Sequence, residues 1–258
     1  MRRGQSLIRG LYTAASGMLA AQAQSDIISD NISNLKTPGY KAEQASTLAF
    51  PMQLLQRLGT SGDGIAEATI IGTAGSGVMV DRAARSNIQG ALQTTDKATD
   101  LALNSTGFFV VQAPEGERYT RNGQFQLNTA GGLQTANGNA VLGENGPIGV
   151  PNPLSQQFTV TSDGTVVDGG QVIDHLRIVE IQDVALERQG QSLYSATQTP
   201  QVASNVQVIQ GSFEVSNVDP TEQMVQMITV MNAYEANQKV IQTQDSMMEK
   251  AVNEVGKI

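Results

Sequence analysis

The stretch Gly211 to Lys257, GSFEVSNVDPTEQMVQMITVMNAYEANQKVIQTQDSMMEKAVNEVGK, decides how the rest of the chain is read. Asp219 is a good N-cap, Pro220 suits a first helical position because its missing N–H would have no partner there, and Glu222 stands where a capping box closes. From that start Met227, Val230, Tyr234, Asn237, Ile241, Gln244, Met248, Ala251 and Val255 recur at alternating spacings of three and four. This is the pattern of a coiled-coil seam with two polar positions. A second stripe, Met224, Ile228 and Met231, lies beside it. A helix of about 36 residues runs roughly 54 Å, and an apolar surface that wide needs several neighbours.

The other end of the chain answers it. Leu7, Leu11, Ala14, Met18, Ala21, Ser25, Ile28, Ile32 and Leu35 alternate in the same way, with Gly10 and Gly17 as weak points for a helix. Two such helices at opposite termini are natural partners for each other, or for the same helices in neighbouring copies. We therefore assign Leu7, Leu11, Met18, Ile28, Ile32, Leu35, Met227, Val230, Tyr234, Ile241 and Met248 to an assembly interface. The first helix is predicted to stop near Leu35, because Pro38 disfavours helix at Thr37. Pro38-Gly39 suits the centre of a type II turn with Gly39 at positive φ. A β-branched residue at Gly39 is then strained by roughly 1 to 3 kcal/mol and is expected to impair assembly more than the melting of the β domain.

Between the helices, residues 37–87 read as a turn and a Gly-rich connector containing GTSGDG and GTAGSG. From Ile88 the signals are β, as in GFFVVQAP, FTVTSDGTVV and HLRIVEIQD. Asn122-Gly123, Asn137-Gly138 and Asp163-Gly164 read as two-residue hairpin centres. The expected fold class is α+β. Paired long N- and C-terminal helices, coiled-coil-like, come from residues 1–36 and from 206–258, the latter opening with a return strand or linker. A mostly antiparallel β domain, 88–205, is inserted between them.

Composition narrows function. With 258 residues and 40% hydrophobic content the chain can bury a real core. Twenty-four acidic residues against 16 basic ones give a net charge of −8, which repels nucleic acid and anionic membrane surfaces. Cysteine is absent, which excludes disulfides and thiolate metal sites. The single histidine, His175, has no Ser or Cys nucleophile in a recognisable elbow near it. Of the acids that might pair, Asp163, Asp168, Glu180 and Asp183, the first two sit beside glycines in turn contexts. The sequence thus predicts no catalytic, cofactor or metal site and no small-molecule substrate. Arg2 and Arg3 before an Ala-rich stretch imitate a secretory signal, but Arg9 interrupts the apolar run, and we read no cleaved signal. No stretch reaches the 18 or so apolar residues of a membrane span.

Three blocks carry a family resemblance: LYTAASGMLAAQAQSDIISDNISNLKTPGYK (11–41), DLALNSTGFFVVQAPEGERYTRNGQFQLNTAGGLQT (100–135) and GSFEVSNVDPTEQMVQMITVMNAYEANQKVIQTQDSMMEKA (211–251). Within them Asn31, Asn34, Thr37, Pro38, Gly39 and Tyr40, then Gly107, Phe108, Phe109, Tyr119, Thr120 and Arg121, then Ser216, Asn217 and Asp219 are jointly specific. The chain resembles the bacterial flagellar basal-body rod proteins, the hook–basal body group that includes proximal and distal rod proteins and their Gram-positive relatives. Segment 141–151 resembles the proximal-rod pattern, 72–95 the distal-rod pattern and 50–59 the Gram-positive relatives, so the position along the rod stays open. The resemblance implies a structural subunit of an axial tube, required for motility and exported unfolded by the flagellar type III export apparatus. Its partners would be itself and other axial proteins of rod and hook. Two other readings remain at this point: a secreted β-rich binding module or adhesin, which needs no long seam at both ends, and a glycan hydrolase, which needs two opposed carboxylates in a cleft.

Overall fold

The structure is a computed structural model describing residues 2–60, 66–86, 88–151, 158–182, 186–190, 192–203 and 205–255. Helix α1 (Arg2–Ser33) and helix α2 (Pro220–Val255) stand at the two ends of an α+β chain. Helix α2 opens on the proline that the capping pattern selects, with Glu222 in its first turn. The chain divides into two compact units, one of Met1–Asn31, Glu43–Ala84 and Pro220–Ile258, the other of Ile32–Ala42 and Arg85–Asp219.

In the first unit the helices are joined by strands β1 (Glu43–Ala49), β2 (Gln53–Thr60), β3 (Ala66–Ala74) and β4 (Val78–Arg85, its last residue belonging to the second unit). Strand β1 pairs with β4, and β2 with β3 antiparallel, with an irregularity between Leu55 and Gln56. This is the stretch read above as a connector. Gly75 and Gly77 fall between β3 and β4, whereas Gly59 and Gly72 lie inside β2 and β3, and ladder pairing between separate segments leaves no local periodicity to read. On α2 the residues Met227, Val230, Tyr234, Asn237, Ile241, Gln244 and Met248 are half-buried while most of their neighbours are exposed. On α1 the matching face buries Ala14, Ala21 and Ile28 and half-buries Leu11, Met18 and Ser25. The side chains of Leu7 and Val255 lie outside the described ones. The second stripe of α2 is open: Met224 is 57% exposed, Ile228 60% and Met231 57%.

The second unit is mostly antiparallel sheet. Its strands are β5 (Leu92–Thr94), β6 (Leu101–Leu103), β7 (Phe108–Ala113), β8 (Gly116–Thr120), β9 (Phe125–Leu127), β10 (Leu133–Thr135), β11 (Ala140–Val141), β12 (Phe158–Val160), β13 (Thr165–Asp168) and β14 (Gln171–His175). They continue with β15 (Ile178–Glu180), β16 (Leu186–Gln189), β17 (Leu193–Ala196), β18 (Gln201–Val202), β19 (Val208–Gln210) and β20 (Ser212–Glu214). The main sheet runs β16-β17-β8-β7-β11-β10-β9, with β15 bridging β7 and β18. Strand β7 is its centre, and its unbroken apolar run FFVV is what burial on both faces demands. Phe109 and Val111 enter one core with Leu101, Leu133, Val141 and Val166, while Phe108 and Val110 enter another with Tyr119, Leu142 and Tyr194.

The turns correct the sequence reading. Gly138 and Gly164 take φ of 84° and 92°, but among the described residues no non-Gly residue has positive φ, so neither Asn137-Gly138 nor Asp163-Gly164 is a two-residue type I′ centre. Gly138 N–H donates to Thr135 O and Gly164 N–H to Thr161 O, each at 2.9 Å, which makes three-residue loops with glycine in the left-handed position. Asn122-Gly123 closes no hairpin: a Cβ on Gly123 would collide with the Leu101 carbonyl, and the glycine serves close backbone approach. Two-residue loops instead join β13 to β14 at Gly169-Gly170, with φ 58° and 83°, and β7 to β8 at Pro114-Glu115, between the paired Ala113 and Gly116.

Candidate assembly interface and its buried anchor

The contacts between α1 and α2 run in opposite order along the two helices. A Cβ on Gly10 would strike the Gln244 amide, and one on Gly17 would lie 2.8 Å from Asn237 Nδ2. Ser25 Oγ donates to Met227 Sδ at 3.4 Å, and Asn31 Nδ2 to Gln223 Oε1 at 3.0 Å. The glycines that looked like weak points are therefore gaps, each filled by one of the two polar seam residues. Asn31 also accepts from Glu43 N at 3.0 Å and donates to Glu43 O at 2.8 Å, so its one amide ties α1, β1 and the start of α2 together.

In the second unit, the segment following α1 folds into the expected type II turn. Tyr40 N–H donates to Thr37 O at 3.3 Å, Gly39 has φ 68°, and Thr37 Oγ1 donates to Asn34 Oδ1 at 3.1 Å. The turn is packed more tightly than its sequence reveals. Gly39 N–H donates to Glu214 O at 2.8 Å, and a Cβ on Gly39 would run into the Arg121 carbonyl and lie 2.6 Å from Asn122 N. Because this contact is inside the second unit, the expectation that a larger residue at Gly39 spares the melting of the β unit is revised. Tyr40 is buried against Ala42, Val218 and Leu35, with the Arg188 guanidinium 4.9 Å over its ring.

Glu214 is the hub. Only 1% exposed, it accepts from Lys41 Nζ at 2.5 Å and Gly90 N at 2.8 Å on one oxygen, and from Arg121 Nη1 at 3.4 Å on the other. Lys41 Nζ also donates to Ile88 O at 2.9 Å. Arg121 lies 5.3 Å over the Phe108 ring, which meets Tyr194 edge-on at 5.6 Å. Burial pushes both Lys41 and Arg121 below their ordinary pKa values, and the Glu214 carboxylate opposes that shift by favouring their charged forms. Asn217 clasps the same place: it accepts from Ala42 N at 2.7 Å and donates to Ser86 O and Ile88 O at 3.1 and 2.9 Å.

Asn34, Thr37, Gly39, Tyr40, Phe108, Arg121 and Asn217, drawn from three separate blocks, thus gather around this anchor. Pro38 supplies the turn. Thr120 flanks it, donating to Ser192 O at 2.7 Å, and Ser216 accepts from Val218 N at 3.4 Å. Phe109, Tyr119 and Gly107 stay with the β core, and Asp219 with the start of α2. The sequence reading missed Lys41 and Glu214, whose partnership spans 173 residues. His175 has Thr165 Oγ1 at 3.3 Å from Nδ1, and Asp163 accepts from the Thr161 and Thr165 hydroxyls, so both belong to a hairpin. Asp183 lies outside the described residues, and among the described residues no cluster of three metal-ligating side chains occurs.

Terminal helices with an open apolar stripe, and an antiparallel β unit that cross-links the chain leaving one helix to the chain leading to the other, define a structural assembly subunit. Three family models fall on the segments involved: "Flagella basal body rod protein" on residues 11–41, "Flagellar hook protein FlgE/F/G D1 domain" on 102–168 and "Flagellar basal body rod FlgEFG protein C-terminal" on 209–254. The chain is 38% identical to the flagellar hook-basal body complex protein FlhO of Bacillus subtilis, over 98% of this chain and 100% of that one. It is 34% identical to the flagellar basal-body rod protein FlgG of Buchnera aphidicola subsp. Acyrthosiphon pisum, over 95% and 98%. It is 32% identical to the rod protein FlgF of Caulobacter vibrioides, over 96% and 98%. The chain belongs to the flagellar basal-body rod protein family, and its role is that of a structural, axial component of the bacterial flagellum.

Proposed function

We propose that the chain is a rod subunit in which α1 and α2 form one coiled-coil-like antiparallel pair, whose remaining apolar stripe is covered by copies of the same chain and by neighbouring axial proteins. The observation that carries this reading is the division of α2 into two stripes. Met227, Val230, Tyr234, Ile241 and Met248 are half-buried, whereas Met224, Ile228 and Met231 are more than half exposed, left uncovered by the described residues. Asn237 and Gln244 against Gly17 and Gly10 would fix the register of the pair, as a single polar seam residue does in coiled coils. In this reading Leu7, Leu11, Met18 and Ile28 with Met227, Val230, Tyr234, Ile241 and Met248 form the helix seam of the assembled state, whereas Ile32 and Leu35 leave the expected set: both belong to the second unit, where Leu35, beyond the end of α1, packs against Tyr40, Ala42 and Val218. The subunit reaches its place outside the cytoplasmic membrane through the flagellar type III export apparatus.

Deleting the gene should abolish swimming and leave basal bodies that lack a rod segment in electron micrographs. Complementation with the wild-type chain should restore both, and Ile241→Asp should not, because a charge in a packed seam costs several kcal/mol, about that of a buried unpaired charge. Full motility in the Ile241→Asp strain, at wild-type protein level, would remove this face from the assembly.

A further inference from the structure

A cavity of about 530 Å³ opens beside the anchor in the second unit, lined by Lys41 and Arg121 on one side and by Thr106, Glu180, Gln198 and Gln201 among others. The hydrogen bonding around it is incomplete. Lys41 and Arg121, 3% and 8% exposed, share one buried carboxylate, Glu214. Arg121 has five N–H donors to satisfy, yet its contact with Glu214 is 3.4 Å long and its buried Nε has no partner. A cation that is buried and incompletely paired is costly unless a further acceptor reaches it. Burial depresses both cations even with Glu214 in place, so the single carboxylate does not offset their desolvation. Glu180 does not fill the gap: it accepts from the Thr106 hydroxyl, and the ion pairs of Lys41 and Arg121 among the described residues are both with Glu214.

We infer that this cavity is an anion site whose ligand is a carboxylate, held by Arg121 and Lys41. The charge of the lining selects among anions: a dianionic phosphate would face Glu180 with two charges, a carboxylate with one. The amides of Gln198 and Gln201 supply neutral donors at the mouth. The carboxylate has two sources of the same chemistry, a small free anion or an acidic side chain of another chain. The protein itself carries 24 acidic residues.

The test uses the full-length chain, labelled with ¹⁵N, titrated with acetate at constant ionic strength with chloride as reference. Acetate should move the backbone amide resonances of Gly107 and Phe108, which line the cavity and can be followed in every variant, saturably and chloride should not. Arg121→Lys, which keeps the charge toward Glu214 but loses the guanidinium fork, should bind acetate at least about tenfold more weakly, the loss expected of one charge-assisted hydrogen bond. Gln201→Glu, which supplies a carboxylate at the mouth, should abolish the acetate response and raise the melting midpoint. If the occupant is a side chain of another chain, acetate will also slow assembly followed by sedimentation. If it is a free anion, the shift will persist in assembled material at an unchanged assembly rate. A response to acetate no different from that to chloride, or one that survives intact in Arg121→Lys and Gln201→Glu, overturns the assignment.

Discussion

The two units bury their side chains by opposite rules. In the second, β7 is covered on both faces and even a carboxylate, Glu214, is 1% exposed with its oxygens engaged. In the first, a 36-residue helix leaves Met224, Val225, Ile228 and Met231 all more than half exposed. Isolated helices draw most of their stability from packing of an apolar face, so a helix with an uncovered stripe is an unfinished structure, whereas a sheet buried on both sides is finished. The contrast teaches that one chain holds a unit whose side chains are covered from within and a helix stripe that, in the proposed assembly, neighbours would cover.

The comparison breaks most severely at its hub. Glu214→Ala leaves Lys41 and Arg121 buried without their shared carboxylate, and loss of one partner of a buried pair costs about 3 to 5 kcal/mol. Denaturant unfolding of the β unit should move by that amount, whereas a single change on the open stripe, such as Met231→Ala, should leave it unmoved. Next comes Gly39→Val. Positive φ alone costs roughly 1 to 3 kcal/mol, and the collision with the Arg121 backbone adds to it. The midpoint of the β unit should fall by at least the strain cost, with assembly impaired as well; an unchanged midpoint would show that the turn is not packed as described.

Within the first unit the effects are smaller and depend on the partner. Gly17→Ala gains helix propensity of about 1 kcal/mol but sets a methyl 2.8 Å from Asn237 Nδ2. The gain should therefore appear only alongside Asn237→Ala, as a positive coupling of about 1 kcal/mol in a double-mutant cycle. The smallest effect belongs to Asp163, fully exposed yet held at a pKa of about 2 against an ordinary 3.8 by hydrogen bonds from Thr161 and Thr165. A depressed carboxylate contributes its stability in full above the ordinary value and loses it as pH falls toward the folded one. The β12–β13 hairpin should thus loosen between pH 3.8 and about 2, and in Thr161→Val the Asp163 titration seen by NMR should move back up.

Legibility followed the range of the interaction. The start of α2 at Pro220, the recurrence of half-buried positions from Met227 at spacings of three and four as far as Met248, and the Gly39 turn are written in neighbouring residues and could be read; Ala251, set in the same recurrence, is exposed. The β2–β3 ladder was missed because glycine clusters mark ends without saying what pairs with what. Asn122-Gly123 misled for a related reason: its glycine is required by the Leu101 carbonyl, which local turn rules do not include. Gly10 and Gly17 were legible as breaks in helix propensity, but their use as sockets for Gln244 and Asn237 needs the partner helix. The Lys41–Glu214 pair has no local signature at all.

Hydrogen exchange, measured on the dilute chain and on assembled rods, tests the central claim most directly. The amides of β7 and β8 should be protected to the same degree in both, while those of α1 and α2 exchange fast in the dilute chain and become protected on assembly. Equal protection of both helices in the dilute chain and in the rod would contradict the account, because the helices would then be complete without neighbours.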